Sequence, residues 1–241
     1  MKPKLSLVGA AARPNSWPWF YKGLKTNKIE YEILFLGPNK PDFDLPKNFH
    51  FIQTNVKPPQ CLEAGVRLAS SDIIALTGDD LEFIEDNPLD KLYDLYLHYG
   101  NDKTIISPRA MIDGVDEING HHVFFPDGPA TSKGGIMSKK YYMELGGLDK
   151  NFIAIMSNVD LDARVWIDGG KIIVSKIFIN ELTGLGSNLC SSWYGIDRTY
   201  LESLYNKDNY GNILGNRLKP VDSFVNGGLL ISTQGNKGTW I

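Results

Sequence analysis

The sequence predicts an α/β domain with a mainly parallel central sheet flanked by helices, one domain spanning residues 1–241. Short apolar runs alternate with helical patterns through the first hundred residues. The run at Asp72–Leu76 is apolar throughout, the mark of a strand covered on both faces. A hydrophobic fraction of 42% and a charged fraction of 22% over 241 residues suffice for a sizeable core.

Leu5–Ala10 reads as the first strand, Trp17–Leu24 as a short helix, and Tyr31–Leu36 as a second strand closed by Gly37-Pro38. Phe49–Gln53 is a third strand. A helix starts near Pro58-Pro59, where proline in the first turn is tolerated, and carries Leu62, Gly65, Val66 and Ala69 on one stripe. Asp72–Leu76 is the fourth strand. Leu89, Leu92, Tyr93 and Tyr96 fall at i, i+3, i+4 and i+7, the stripe of an amphipathic helix. From about residue 104 the rhythm changes. Thr104–Ile112 and His121–Phe125 read as strands of a hairpin joined by the turn-rich DGVDEING. Tyr141–Leu145 and Val159–Ile167 read as helices, and Lys171–Ile179 as β-structure. That change of rhythm divides the domain at about residue 103, with a second segment over about 104–186. Residues 187–241 are a C-terminal extension suited to wrapping the domain, closing as a lid, or making a homo-oligomer contact.

A formal net charge of −3 argues against duplex nucleic acid as a partner. No apolar run approaches the ~18 residues that span a bilayer, so any membrane contact would be peripheral. Two cysteines without a CxxC pair give neither a zinc site nor a disulfide framework. That points to a reduced, cytoplasmic setting. GxGxxG, Walker A, GxSxG and HExxH patterns are all missing, which sets aside the chemistries they carry.

In a parallel sheet, ligands sit beyond the carboxyl ends of the strands. The segment DIIALTGDDLEF puts Asp79 and Asp80 at such an end. Adjacent carboxylates there repel unless a positive charge compensates. A divalent cation, Mg²⁺ or Mn²⁺, supplies one, since these ions bind through one or two carboxylates plus substrate phosphates. The alternative is an exposed turn with capping aspartates.

The order of features resembles the GT-A glycosyltransferases of the family 2 type. The match runs over residues 4–175 and rests on GDD, then Gly134-Gly135, Lys139-Lys140, Tyr141-Tyr142, Gly146-Gly147-Leu148-Asp149 and Val159-Asp160-Leu161. The resemblance implies a GT-A nucleotide-diphospho-sugar transferase fold and a hexosyltransferase-type enzyme, with a nucleotide-binding half over about 1–103, an acceptor-side half over about 104–186, and 187–241 as an extension or acceptor-side lid. Its donor would be a nucleotide-sugar, UDP by family habit, and its acceptor a glycan, lipid or protein hydroxyl, with inversion at the anomeric carbon. It makes Asp80 the metal ligand and Asp79 a ribose or outer partner. Ala11 and Arg13 after the first strand, Gln60 at the following helix start, and Gly134-Gly135 would line the donor.

Lys133 is placed to meet phosphate, and Asp127–Ala130 would form part of the sugar-side wall. The family's carboxylate base falls on Asn158, which cannot take up a proton usefully. Asp160 is the nearest replacement, with an i, i+4 ion pair to Arg164 as its structural alternative and Asp162 behind it. Asp149 reads as a turn residue. Trp17, Trp19 and Trp193 are sugar-stacking candidates or core residues. His121 and His122 point to opposite faces of a strand and cannot readily share an ion. Two rival readings stand beside the transferase: a weakly active or inactive nucleotide-sugar-binding module, and a nucleotidyltransferase. The nucleotidyltransferase normally carries a basic glycine-rich loop after the first strand, which this sequence lacks.

Overall fold

In the computed structural model, residues 2–100, 102–116, 132–182 and 189–205 are described. Strands β1 (Leu5–Ala10), β2 (Tyr31–Gly37), β3 (Phe49–Gln53) and β4 (Ile73–Gly78) are joined by helices α1 (Trp17–Leu24) and α2 (Pro58–Leu68). They pair in parallel in the order β3-β2-β1-β4. Beyond β4 the sheet becomes mixed. β8 (Ile136–Ser138) runs antiparallel to both β4 and β6 (Thr104–Ile112), and β6 lies parallel to β9 (Lys171–Glu181). The short β5 (Leu81–Phe83) closes the far edge against β9. The parallel half is as expected, and the other half mixes both directions because β8 and β5 return along their neighbours.

Residues of β1 divide between the two faces, as pleating dictates. Leu5 and Leu7 join Ile33, Phe35, Trp17, Phe20 and, from α3 (Pro88–Tyr99), Leu89 and Leu92. Val8 packs on the other face with Leu36, Cys61, Val66 and Ile74. Tyr141 and Tyr142 of α4 (Lys139–Glu144) and Leu161 and Val165 of α5 (Ser157–Ile167) complete that layer. Each fully buried apolar side chain contributes about 1.5–3 kcal/mol, so helices on both faces are what stabilise this sheet. A third cluster joins Val159 and Ala163 of α5 to Leu201 of α6 (Leu189–Leu204) and to Tyr205.

A tight hairpin directly follows β6. Asp113 and Gly114, both at positive φ, make a two-residue turn that pairs β7 (Val115–Asp116) with β6. Asp-Gly suits such a turn because both central residues must take positive φ. The strand expected at His121–Phe125, with His121, His122 and Asp127–Ala130, lies outside the described residues. Among the described residues, the strands β5, β7 and β8 and the helix α6 were not anticipated.

Candidate active site

The acidic turn follows β4, where the chain passes from Gly78 into β5. Its charge is partly offset from within. The Asp79 side chain is 1% exposed. Its Oδ2 accepts the backbone N–H of Arg13 at 2.6 Å, and its Oδ1 accepts Arg13 Nε at 2.9 Å and Nη2 at 2.5 Å. Arg13 Nη2 also reaches Asp80 Oδ2 at 2.8 Å. Burial pulls the guanidinium pKa down, but the hydrogen bond to Asp79 and the charges of Asp80 and Asp79 outweigh it and hold it above the ordinary value. Ser16 donates to the Asp79 carbonyl and, at 2.7 Å, to the Arg13 carbonyl, locking the β1–α1 loop onto the turn. Part of the positive charge that the two carboxylates require is thus present in the chain itself, as Arg13.

Asp80 differs from its neighbour. Its side chain is 27% exposed, and its Oδ1 lies only 2.6 Å from where a Cβ on Gly78 would stand, so glycine leaves the carboxylate its space. A carboxylate has about four lone-pair positions, so one contact with Arg13 leaves coordination capacity. Among the described residues, no three His, Cys, Asp or Glu side chains cluster closely enough to hold an ion alone. The donor set suits an ion whose remaining ligands are water and phosphate oxygens.

On the opposite wall, Gly134 takes φ +65, and its missing Cβ would stand 3.7 Å from the Leu76 carbonyl and 3.8 Å from Leu81. Before it, the Lys133 ammonium contacts Glu181 at the end of β9. The Lys133 backbone N–H donates to Ser107 Oγ at 3.0 Å. Ser132 is held by the buried Asp162 of α5, donating from its N–H at 2.6 Å and its hydroxyl at 2.7 Å. Burial pushes the Asp162 carboxyl up to about 8, against the opposing pull of the Ser132 hydrogen bonds and the Arg164 charge.

No family model and no curated protein matches the sequence. Solved structures do. A structure of S. aureus TarS residues 1–349 in complex with UDP superposes with a TM-score of 0.57 at 9% identity, covering 75% of this chain. A second structure of the same TarS region gives 0.57 at 10% identity, covering 85% of this chain. This chain spans 60% of the first structure and 75% of the second. TarS is a GT-A-type glycosyltransferase. The chain has a GT-A fold.

In this GT-A fold the expected site residues divide into two groups. Arg13, Asp79, Asp80 and Gly134 converge at the carboxyl end of β4. The others face inward. Ala11 is 2% exposed within the core, its N–H bonded to the Leu36 carbonyl at 2.8 Å. A Cβ on Gly37 would sit 1.7 Å from the Ala11 carbonyl oxygen, so only glycine can end β2 there. Gln60 is buried, and its Oε1 accepts the Lys57 N–H at the start of α2. A Cβ on Gly135 would meet Ile105 at 2.5 Å, which makes this glycine a packing requirement.

Asp160, the expected base, lies on the packed face of α5. It is fully buried. Its Oδ2 accepts Arg164 Nε at 3.0 Å, and its Oδ1 accepts the Tyr205 hydroxyl at 2.8 Å. Arg164 also donates to the Leu145 and Gly147 carbonyls, both at 2.7 Å. The i, i+4 pair is therefore a strut beneath the Gly-Gly turn, with both side chains fully buried. Asp149 is a turn residue as read, accepting from the Asn151 backbone at 2.9 Å and from Tyr200 at 2.9 Å. Trp17 is a core residue, while Trp19 and Trp193 are exposed. Among the described residues, no helix is long and apolar enough to cross a membrane.

Sequence reasoning missed Ser16 and the role of α6. Asp197 of α6 accepts the backbone N–H groups of Ile153, Ala154 and Ile155, each at 2.8 Å, and so fixes the loop leading into α5. Leu201, Leu204 and Tyr205 at helical spacing were the available signal for α6.

Proposed function

We propose that the chain is a glycosyltransferase that takes a sugar from a nucleoside-diphosphate donor, UDP favoured, and passes it to an acceptor hydroxyl. One observation carries this reading: Arg13, Asp79 and Asp80 from two neighbouring strand ends form a prearranged charged corner where a GT-A fold opens to ligand. The UDP found in the TarS structure supports the choice of nucleotide. In the proposed reaction the acceptor oxygen bonds to the anomeric carbon as its hydroxyl proton is released to water, the bond from that carbon to the diphosphate oxygen breaks, and nucleoside diphosphate leaves.

Asp80 would hold Mn²⁺ or Mg²⁺, which when bound supplies a Lewis acid for charge developing on the leaving diphosphate. Arg13 orients both carboxylates, and Asp79 anchors Arg13 instead of meeting solvent. Fixed charges of this kind stabilise a developing anion without reorganisation.

A second reading, a nucleotide-sugar-binding module with weak or no transfer, has its own support. Asn158 stands at the base position, its amide donating to the Ser132 carbonyl at 3.3 Å, and Asp160 is sealed in its ion pair.

Thermal unfolding with UDP, with and without Mn²⁺, tests the donor site. A bound nucleotide raises Tm according to occupancy, and Asp80→Ala should remove the metal-dependent part. An unchanged response in Asp80→Ala retires the corner as the metal site. Release of UDP from UDP-sugars under the same conditions separates an enzyme from a module.

A further inference from the structure

We propose that Lys133 is a diphosphate-binding cation of this site and that Glu181 holds it in reserve, yielding it to an incoming phosphate. The proposal rests on the glycosyltransferase reading and adds to it a specific ligand and an exchange.

The Lys133–Glu181 pair lies beside the acidic turn. Glu181 stands opposite Leu81 in the β5–β9 ladder, and the next residue, Leu182, donates its N–H to the Asp80 carbonyl at 2.8 Å. The backbone around Lys133 is fixed from both sides, by Ser107 of β6 and, through Ser132, by Asp162 of α5. The ammonium, in contrast, sits on a flexible four-carbon stem that can redirect its charge without moving the chain.

Charge explains why the exchange is favourable. Around the turn stand two cations, Arg13 and Lys133, and three carboxylates, Asp79, Asp80 and Glu181. With Arg13 committed to the aspartates, Lys133 is the remaining cation of this set. The pair is partly open to water, with side chains 22% and 28% exposed, and such pairs are weak. A diphosphate brings more than one negative charge against the single charge of the Glu181 carboxylate, so its Coulombic pull on the ammonium is larger. An arriving diphosphate therefore competes well for the lysine, and Glu181 is the charge it must displace.

Calorimetric titration of UDP, pyrophosphate and uridine, with Mn²⁺ present throughout, tests this. Lys133→Met should weaken UDP and pyrophosphate by about tenfold and leave uridine unchanged, while Lys133→Arg retains most of the affinity. Glu181→Gln should tighten both phosphate ligands by roughly threefold or more, a sign that a merely structural pair would not give. Unchanged UDP and pyrophosphate binding in Lys133→Met, or weaker binding in Glu181→Gln, overturns the proposal. A wild-type chain that binds pyrophosphate but not UDP removes the nucleotide reading, while the lysine assignment is still read from pyrophosphate. A chain that binds neither removes both.

Discussion

Asp162 offers a quantitative test of how α5 is built. Its carboxyl is fully buried, with Ser132 supplying two hydrogen bonds, Arg164 favouring the charge and Asp160 opposing it. Burial lifts its pKa from 3.8 to about 8. Between those values the folded chain keeps a proton that the unfolded chain has released. Stability therefore falls as pH rises through this window, by about 1.4 kcal/mol per pH unit. From pH 5 to pH 8 the contribution amounts to roughly 3–4 kcal/mol.

Asp162→Asn isolates that contribution. Asparagine mimics the protonated acid: its Oδ1 accepts the Ser132 N–H, and its amide donates to the Ser132 hydroxyl. Urea unfolding of wild type and variant at pH 5, 6, 7 and 8 gives the stability difference at each pH. The variant should gain on the wild type steadily, by about 3–4 kcal/mol overall. A difference that stays constant within about 0.5 kcal/mol across the series refutes the reasoning, because it would mean that Asp162 is already ionised in the folded chain at pH 5.

Other perturbations probe the remaining buried charges. Arg13→Met leaves Asp79 buried with only the backbone N–H of residue 13, and should cost about 2–3 kcal/mol, below the range for a fully buried pair because Arg13 is partly exposed. At roughly 2–4 °C per kcal/mol for a chain of this size, calorimetry should show a clear fall in Tm, and a wild-type Tm would contradict the clamp. Asp160→Asn strips the charge partner from a fully buried Arg164 and should destabilise by about 3 kcal/mol. Unaltered stability combined with lost turnover would restore Asp160 to a catalytic role. Asp197→Ala removes the acceptor of three backbone N–H groups, so hydrogen exchange at residues 153–155 should accelerate by tenfold or more, about 1.4 kcal/mol or above. Unchanged protection there would show that the loop is held by other contacts.

Local pattern carried much of this fold. β1, α1, β3 and β6 occupy the residues that apolar runs and turn signals mark out, and Asp79-Asp80 falls where a strand end invites chemistry. These features depend on near neighbours, through pleat, helical period and the dihedral demands of glycine and proline, so they can be read along the chain. β5 and β8, at three residues each, are too short to show a period, and they exist because a longer strand offers them a ladder.

What partly offsets the charge of the acidic turn was beyond local reading. Arg13 lies 66 residues away in the chain and meets Asp79 only because β1 and β4 are neighbours in the sheet. Asp160 shows both sides of the divide. Its pairing with Arg164 follows from helical spacing, but its sealing depends on Tyr205 arriving just beyond α6, 45 residues later. Burial and charge balance are properties of the packed molecule, set by groups that the chain brings together from a distance. For that reason the sequence could identify which side chains carry chemistry, while tertiary structure decided which of them meet solvent.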